Sequence, residues 1–153
     1  ARNIAPIARE GLFRVPIFGA ILRGIGCISI KEAEGDAGAI KTAIAALKAG
    51  RVVVIFPEGS RSPDGRIQEF KRGMWLLVSR SGAAIVPAAV DGCYDAWPRQ
   101  RAIPNLFGHR VAVKYGKPIP FAALKALGPD AGLAQLRDQV ASLQRELTPI
   151  LGR

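Results

Sequence analysis

Histidine is nearly missing from this chain: His109 is the only one in 153 residues. With no second imidazole and only two cysteines, Cys27 and Cys93, no metal-ligand spacing exists and no dense disulfide framework is possible. That cysteine usage fits a reducing compartment, and Cys27, inside an apolar run, reads as a small buried hydrophobe. Acids are scarce too, 12 against 22 basic residues, and between Asp95 and Asp130 there is none. Long apolar runs are also lacking. The nearest to the ~18 residues that a bilayer span needs, Leu12 to Ile30, is broken by Arg14, Pro16 and Arg23. Charges following Arg2 and Arg9 likewise rule out a signal-peptide layout.

At 16.3 kDa and 49% apolar residues, the chain can bury a continuous core, and one domain over residues 1–153 is expected. Its most informative stretch is Val52-Val53-Val54-Ile55-Phe56-Pro57-Glu58-Gly59-Ser60-Arg61-Ser62, followed by Asp64-Gly65 and Phe70-Lys71-Arg72-Gly73. Val52 to Phe56 predicts a buried strand, and Pro57, which cannot donate the next ladder bond, ends it. The polar cluster then sits at a strand's C-terminal end, where open α/β sheets bind ligands. Gly59 lets a ligand approach bare backbone, Ser60 adds a short donor, and Arg61 offers a planar fork matched to phosphate oxygens. Pro-Glu-Gly-Ser by itself is also an ordinary surface turn. The longer string points to an anion site.

That string closely resembles the third motif of the glycerolipid acyltransferase family, enzymes that acylate glycerol 3-phosphate and 1-acylglycerol 3-phosphate. Leu12-Phe13-Arg14-Val15-Pro16-Ile17-Phe18-Gly19 resembles the segment entering the second motif, and Gly26-Cys27-Ile28-Ser29-Ile30-Lys31 resembles that motif itself. Strict register puts Glu32 where the family usually has an arginine, with Lys31 one place early. Ile85-Val86-Pro87-Ala88-Ala89-Val90 is similar to the fourth motif. The likeness covers about residues 7–120. It implies a phosphate site made by Arg61 with Gly59 and Ser60 shaping the turn, Glu58 orienting Arg61 or fixing that turn, and Pro57 and Pro87 acting through backbone shape. Arg9, in Ile7-Ala8-Arg9-Glu10-Gly11-Leu12, corresponds to a basic segment that also contacts the acceptor phosphate, and Lys31 is a further candidate.

The family's His and Asp, separated by four residues, lie before the Leu-Phe-x-x-Pro segment and are not in this sequence. His109 does not reproduce the spacing, because the residue five places on is Lys114. A lone imidazole is a general base only with substrate and an orienting partner in reach, so His109 reads as structural or solvated. The expectation is a piece of a longer enzyme whose base lies upstream of Ala1, with little activity of its own. The resemblance implies a lysophospholipid or glycerol phosphate acceptor, acyl-CoA or acyl carrier protein as donor, and no cofactor or metal. The alternative is a noncatalytic module that keeps the pocket and binds lipid phosphates or a membrane surface.

A net charge of +10 implies attraction to anionic surfaces. The acid-free stretch holds Arg99, Arg101, Arg110, Lys114, Lys117 and Lys125, interleaved with Trp97, Phe107 and Phe121. It is either a face for an anionic membrane or a solvated basic face with its aromatics in the core. Nucleic acid is not the expected partner, since there is no helix-turn-helix, aromatic RNA-binding signature or zinc spacing. The implied location is the cytoplasmic face of a membrane, peripheral or anchored by a segment outside this sequence.

Periodicity predicts a helix over residues 12–23, a strand over 26–30, a helix over 36–49 with Ile40, Ile44 and Leu47 on one face, and a strand over 52–56. A helix over 70–80, strands over 84–90 and 110–115, and a helix over 130–147 striped by Leu133, Leu136, Val140, Leu143 and Leu147 follow. Helices between apolar strands predict an α/β fold, a mostly parallel or mixed central sheet flanked by helices. The resemblance makes it like that of the glycerol-3-phosphate acyltransferases.

Overall fold

The computed structural model describes residues 3–30, 37–101, 103–105 and 107–152. They form two compact units, Ala1–Phe56 with Gly73–Ala83, and Pro57–Arg72 with Ala84–Arg153.

The first unit is a parallel sheet flanked by helices. Its strands are β1 (Ile4–Arg9), β2 (Ile28–Ile30) and β3 (Val52–Val54), in the order β2-β1-β3. Sequence patterning places no element at β1, because Pro6 and Arg9 interrupt it and Pro is a poor resident of a central strand. The structure accommodates Pro6 by staggering the two ladders. Ile4–Pro6 pair with Val52–Val54, and Ile7–Arg9 pair with Ile28–Ile30, so the residue lacking an N–H falls at the handover. The strand predicted over 52–56 stops at Val54, and with β3 on the outside of the three-stranded order, Val52 and Val54 are exposed rather than buried.

The helix predicted over 12–23 is divided into α1 (Glu10–Phe13) and α2 (Pro16–Gly24), with Pro16 in the first turn of α2, where its missing donor costs nothing. Helix α3 (Ala37–Lys48) lies close to its prediction and ends at Gly50, where the Arg51 N–H returns to Ala46 at 3.0 Å. Its sheet-facing stripe is the alanines Ala39, Ala43 and Ala46, while Ile44 and Leu47 pack at the margin of that core. Leu77 of α4 (Arg72–Ser81) joins Ala5 and Ile28 in the same cluster.

In the second unit β4 (Ala88–Asp91) pairs antiparallel with β5 (Ala112–Tyr115). The strand–helix–strand pattern predicts a parallel neighbour for this strand; among the described residues its hydrogen-bonded neighbour is β5. The continuous strand predicted over 84–90 is also interrupted. Ile85 bridges to Ile119 while Ala88 faces Tyr115, so Gly116, Lys117 and Pro118 lie opposite only Val86 and Pro87. Pro87 cannot donate to a ladder, and its carbonyl accepts the Gly116 N–H at 2.8 Å across the bulge. Two short helices follow β4 and β5, α5 (Cys93–Ala96) and α6 (Phe121–Lys125). Helix α7 (Gly128–Leu147) packs on β4 and β5, burying Leu133, Leu136 and Leu147 with Phe121 and Leu124, and leaving Val140 and Leu143 half-buried.

Candidate phosphate-binding loop

Residues 57–72 form a loop whose ends meet: the Lys71 N–H donates to the Pro57 carbonyl at 2.9 Å. Inside that closure the side chains bond mainly to the loop itself. Glu58 accepts the Gln68 backbone N–H at 2.8 Å. Asp64 accepts the Arg66 N–H at 3.0 Å, the Ser62 hydroxyl at 3.0 Å and the Gln68 side-chain amide at 3.1 Å. The Arg66 N–H bond is the main reason its carboxyl is held below the ordinary Asp value of 3.8, with the Ser62 hydroxyl and the Arg66 charge adding to it against some desolvation. Tyr94 ties the loop's far end down, donating to the Pro63 carbonyl at 3.1 Å.

Gly59, at φ 72°, occupies the left-handed region that other residues enter at a cost. The space a side chain would fill there is taken by Lys71, since an added Cβ would lie 3.0 Å from Cε, 3.1 Å from Cδ and 3.3 Å from Nζ. Arg61 is exposed, with its guanidinium carbon 4.9 Å from the centroid of the Trp97 ring and Nη2 at 3.5 Å from the Arg99 carbonyl. A guanidinium over an aromatic face is held by the ring's quadrupole and still has further N–H donors to offer. Ser60 is half-buried. Arg72, by contrast, is tied up by Asp130, Nη2 reaching the two carboxylate oxygens at 2.8 and 3.1 Å.

The structure therefore gathers Pro57, Glu58, Gly59, Ser60 and Arg61 in one self-bonded loop. Glu58 fixes the turn through the Gln68 backbone. Pro87 belongs to the β4 bulge. Arg9 ends β1 in the first unit and lines a surface hollow with Glu10, Gly11, Leu12 and Arg14. Lys31 lies outside the described residues. Of the acid-free stretch, Phe121 is in the core, Lys114 pairs with Glu146, and Phe107 is 85% exposed. His109 Nε2 accepts from the Asn105 amide at 3.0 Å. Burial pushes both thiols up, in Cys93 with help from Asp91, so neither is a ready thiolate. Lys71 and Trp97 are the site neighbours that spacing did not reveal: one is twelve residues from Gly59 and the other thirty-six from Arg61, and loop closure and folding bring them in.

A family model described as Acyltransferase matches residues 1–91, from β1 through this loop to the end of β4. The chain belongs to the acyltransferase family. Among similar proteins is the chloroplastic 1-acyl-sn-glycerol-3-phosphate acyltransferase LPAT1 of Arabidopsis thaliana, 34% identical over 94 residues, which are 60% of this chain and 26% of that one. The 1-acyl-sn-glycerol-3-phosphate acyltransferase of Cocos nucifera is 32% identical over 125 residues, 77% of this chain and 39% of its own. The crystal structure of the 1-acyl-sn-glycerophosphate acyltransferase PlsC from Thermotoga maritima superposes with a TM-score of 0.72 at 25% identity, covering 99% of this chain and 58% of that one. The chain spans about a quarter of the length of the first curated relatives it matches.

Proposed function

We propose that this chain is part of an enzyme of phospholipid synthesis that moves a fatty acyl group from an acyl thioester to a hydroxyl of 1-acylglycerol 3-phosphate or a related lysolipid. In that reaction the acceptor oxygen attacks the thioester carbonyl carbon, a base takes the hydroxyl proton, and the thiol leaves. The residues at hand supply the grip on the acceptor. Arg61, its guanidinium over the Trp97 ring, is the principal hydrogen-bond donor to the phosphate, Gly59 and Ser60 form the turn, and Glu58 holds the turn shut through Gln68. Arg9 and Lys31 are the further phosphate-binding candidates that the family resemblance implies. The single observation that carries this reading is the loop itself, whose carboxylates Glu58 and Asp64 are spent on its own backbone while Arg61 is presented on an aromatic face.

The exposure of His109 and its bond to Asn105 support a base other than His109. The noncatalytic reading remains the alternative to this one. The donor is a thioester of coenzyme A or acyl carrier protein, with no resident cofactor. No helix among the described residues is long and apolar enough to cross a membrane. The +10 charge supports work at an anionic, cytoplasmic leaflet, either peripherally or through an anchor outside these residues. The test is acyl transfer by the full-length gene product to 1-acylglycerol 3-phosphate, glycerol 3-phosphate and other lysolipids, beside the 153-residue chain. Transfer by the full-length product is expected. Absence of transfer to every acceptor, with lipid phosphate still bound, would favour the noncatalytic module, and equal turnover by the short chain would remove the claim about the base.

A further inference from the structure

The charged side chains of the Pro57–Arg72 loop are sorted. Glu58 and Asp64 are engaged by backbone N–H groups, and Arg72 is neutralised by Asp130. Glu69 lines a hollow with Arg72, Asp130 and Arg137. Lys71 is exposed and, among the described residues, makes no ion pair with a carboxylate, and its stem runs along Gly59. The Pro57–Lys71 backbone bond fixes where it starts, and the bare face of Gly59 fixes where it runs, with Nζ 3.3 Å from the point a Cβ would occupy. The ammonium is thereby delivered to the turn two residues from Arg61.

We propose that Lys71 is a second cationic ligand of the acceptor's phosphate group, and that Gly59 is glycine chiefly to give the lysine stem its channel. The inference rests on the acceptor-binding reading of this loop and names a residue which that reading did not assign. A planar guanidinium and a compact ammonium divide the work: Arg61 meets two oxygens side by side, and Lys71 supplies a point charge with rotatable donors to a third. A dianionic headgroup suits two cations better than one. A substrate lacking the phosphate has nothing for either to hold.

The experiment uses the full-length gene product and two acceptors, 1-acylglycerol 3-phosphate and its dephosphorylated counterpart 1-acylglycerol, with Lys71→Met, Lys71→Arg and Arg61→Ala. Lys71→Met keeps the stem and removes the charge. Its KM for the phosphorylated acceptor is expected to rise about tenfold with kcat changed less than about threefold, while the low rate with 1-acylglycerol stays as in the parent. Lys71→Arg should recover most of the loss. If Arg61→Ala raises that KM and Lys71→Met does not, the role of Lys71 is overturned and the phosphate reading of the loop stands. Should neither variant move KM for the phosphorylated acceptor, the reading itself falls. Equal losses on both acceptors from Lys71→Met would mean a folding role, which also overturns the proposal; circular dichroism melts of the variant identify that case independently.

Discussion

Two stretches of this molecule hold similar numbers of basic residues, four in 57–72 and three in 97–110, and are built differently. In the Pro57–Arg72 loop, Glu58 and Asp64 accept backbone N–H groups, Lys71 runs along Gly59, and Arg61 lies over Trp97. In the 97–110 stretch, bonds such as Trp97 Nε1 to the Arg101 carbonyl at 2.9 Å and the Asn105 N–H to the Ala96 carbonyl at 2.7 Å brace the backbone. Its apolar side chains Ile103 and Phe107 are left 78% and 85% exposed. Charge density alone does not separate a binding site from an electrostatic surface. The proposed distinction between them is whether the side chains' own bonding places the cations.

The sharpest way to break this comparison is to cut the internal bonding of the loop. Glu58→Ala deprives the Gln68 N–H of its acceptor, a half-buried loss of about 2 kcal/mol, and acyl transfer by the full-length product should fall about thirtyfold. Arg61→Ala should cut kcat/KM by about tenfold, ~1.4 kcal/mol, chiefly through acceptor KM. If Arg99→Ala or Arg101→Ala costs as much in the same assay, the two stretches are not different in kind. Gly59→Ala should lower the thermal midpoint by the equivalent of ~1–2 kcal/mol, because a left-handed residue gains a Cβ that also meets Lys71. Phe107→Ser should leave kcat with soluble acceptors alone and weaken binding to anionic vesicles about threefold, a change visible by co-sedimentation. Asp130→Asn, which releases the exposed Arg72, should shift stability by less than ~0.5 kcal/mol in a denaturant melt.

Acid offers a further contrast. The Asp64 carboxyl is lowered in the folded loop, so its contribution is present above the ordinary value of 3.8 and is lost as pH falls below that value through the folded pKa. Tryptophan fluorescence or amide exchange within residues 62–68 should report that loosening, and Asp64→Asn should abolish the pH dependence.

Much of this was legible because some chemistry is local. An apolar strand followed by proline, acid, glycine and guanidinium announces a turn, although the strand ends at Val54, short of Pro57, and Gly50 marks the end of α3. Strand β1 was hidden by Pro6, whose tolerance depends on a ladder handover that only the paired strands reveal. Residues 84–90 read as one apolar strand because hydropathy does not register that Pro87 lacks a donor at the very place where the partner carries an extra residue. The core face of α3 was misjudged by size: the branched residues stand at the rim, and alanines, small enough to let helix and sheet approach, occupy the centre. Lys71 and Trp97 belong to the site through closure of the loop and of the unit, which no spacing rule encodes.

The staggered pairing of β1 has a mechanical meaning. Nothing in the described three-strand sheet ties β2 directly to β3; both hang from the same six-residue rod, each on its own half. Clipping residues 4–9 would unfasten two neighbours in one stroke, so a protease with access to that segment would dismantle the sheet rather than trim it.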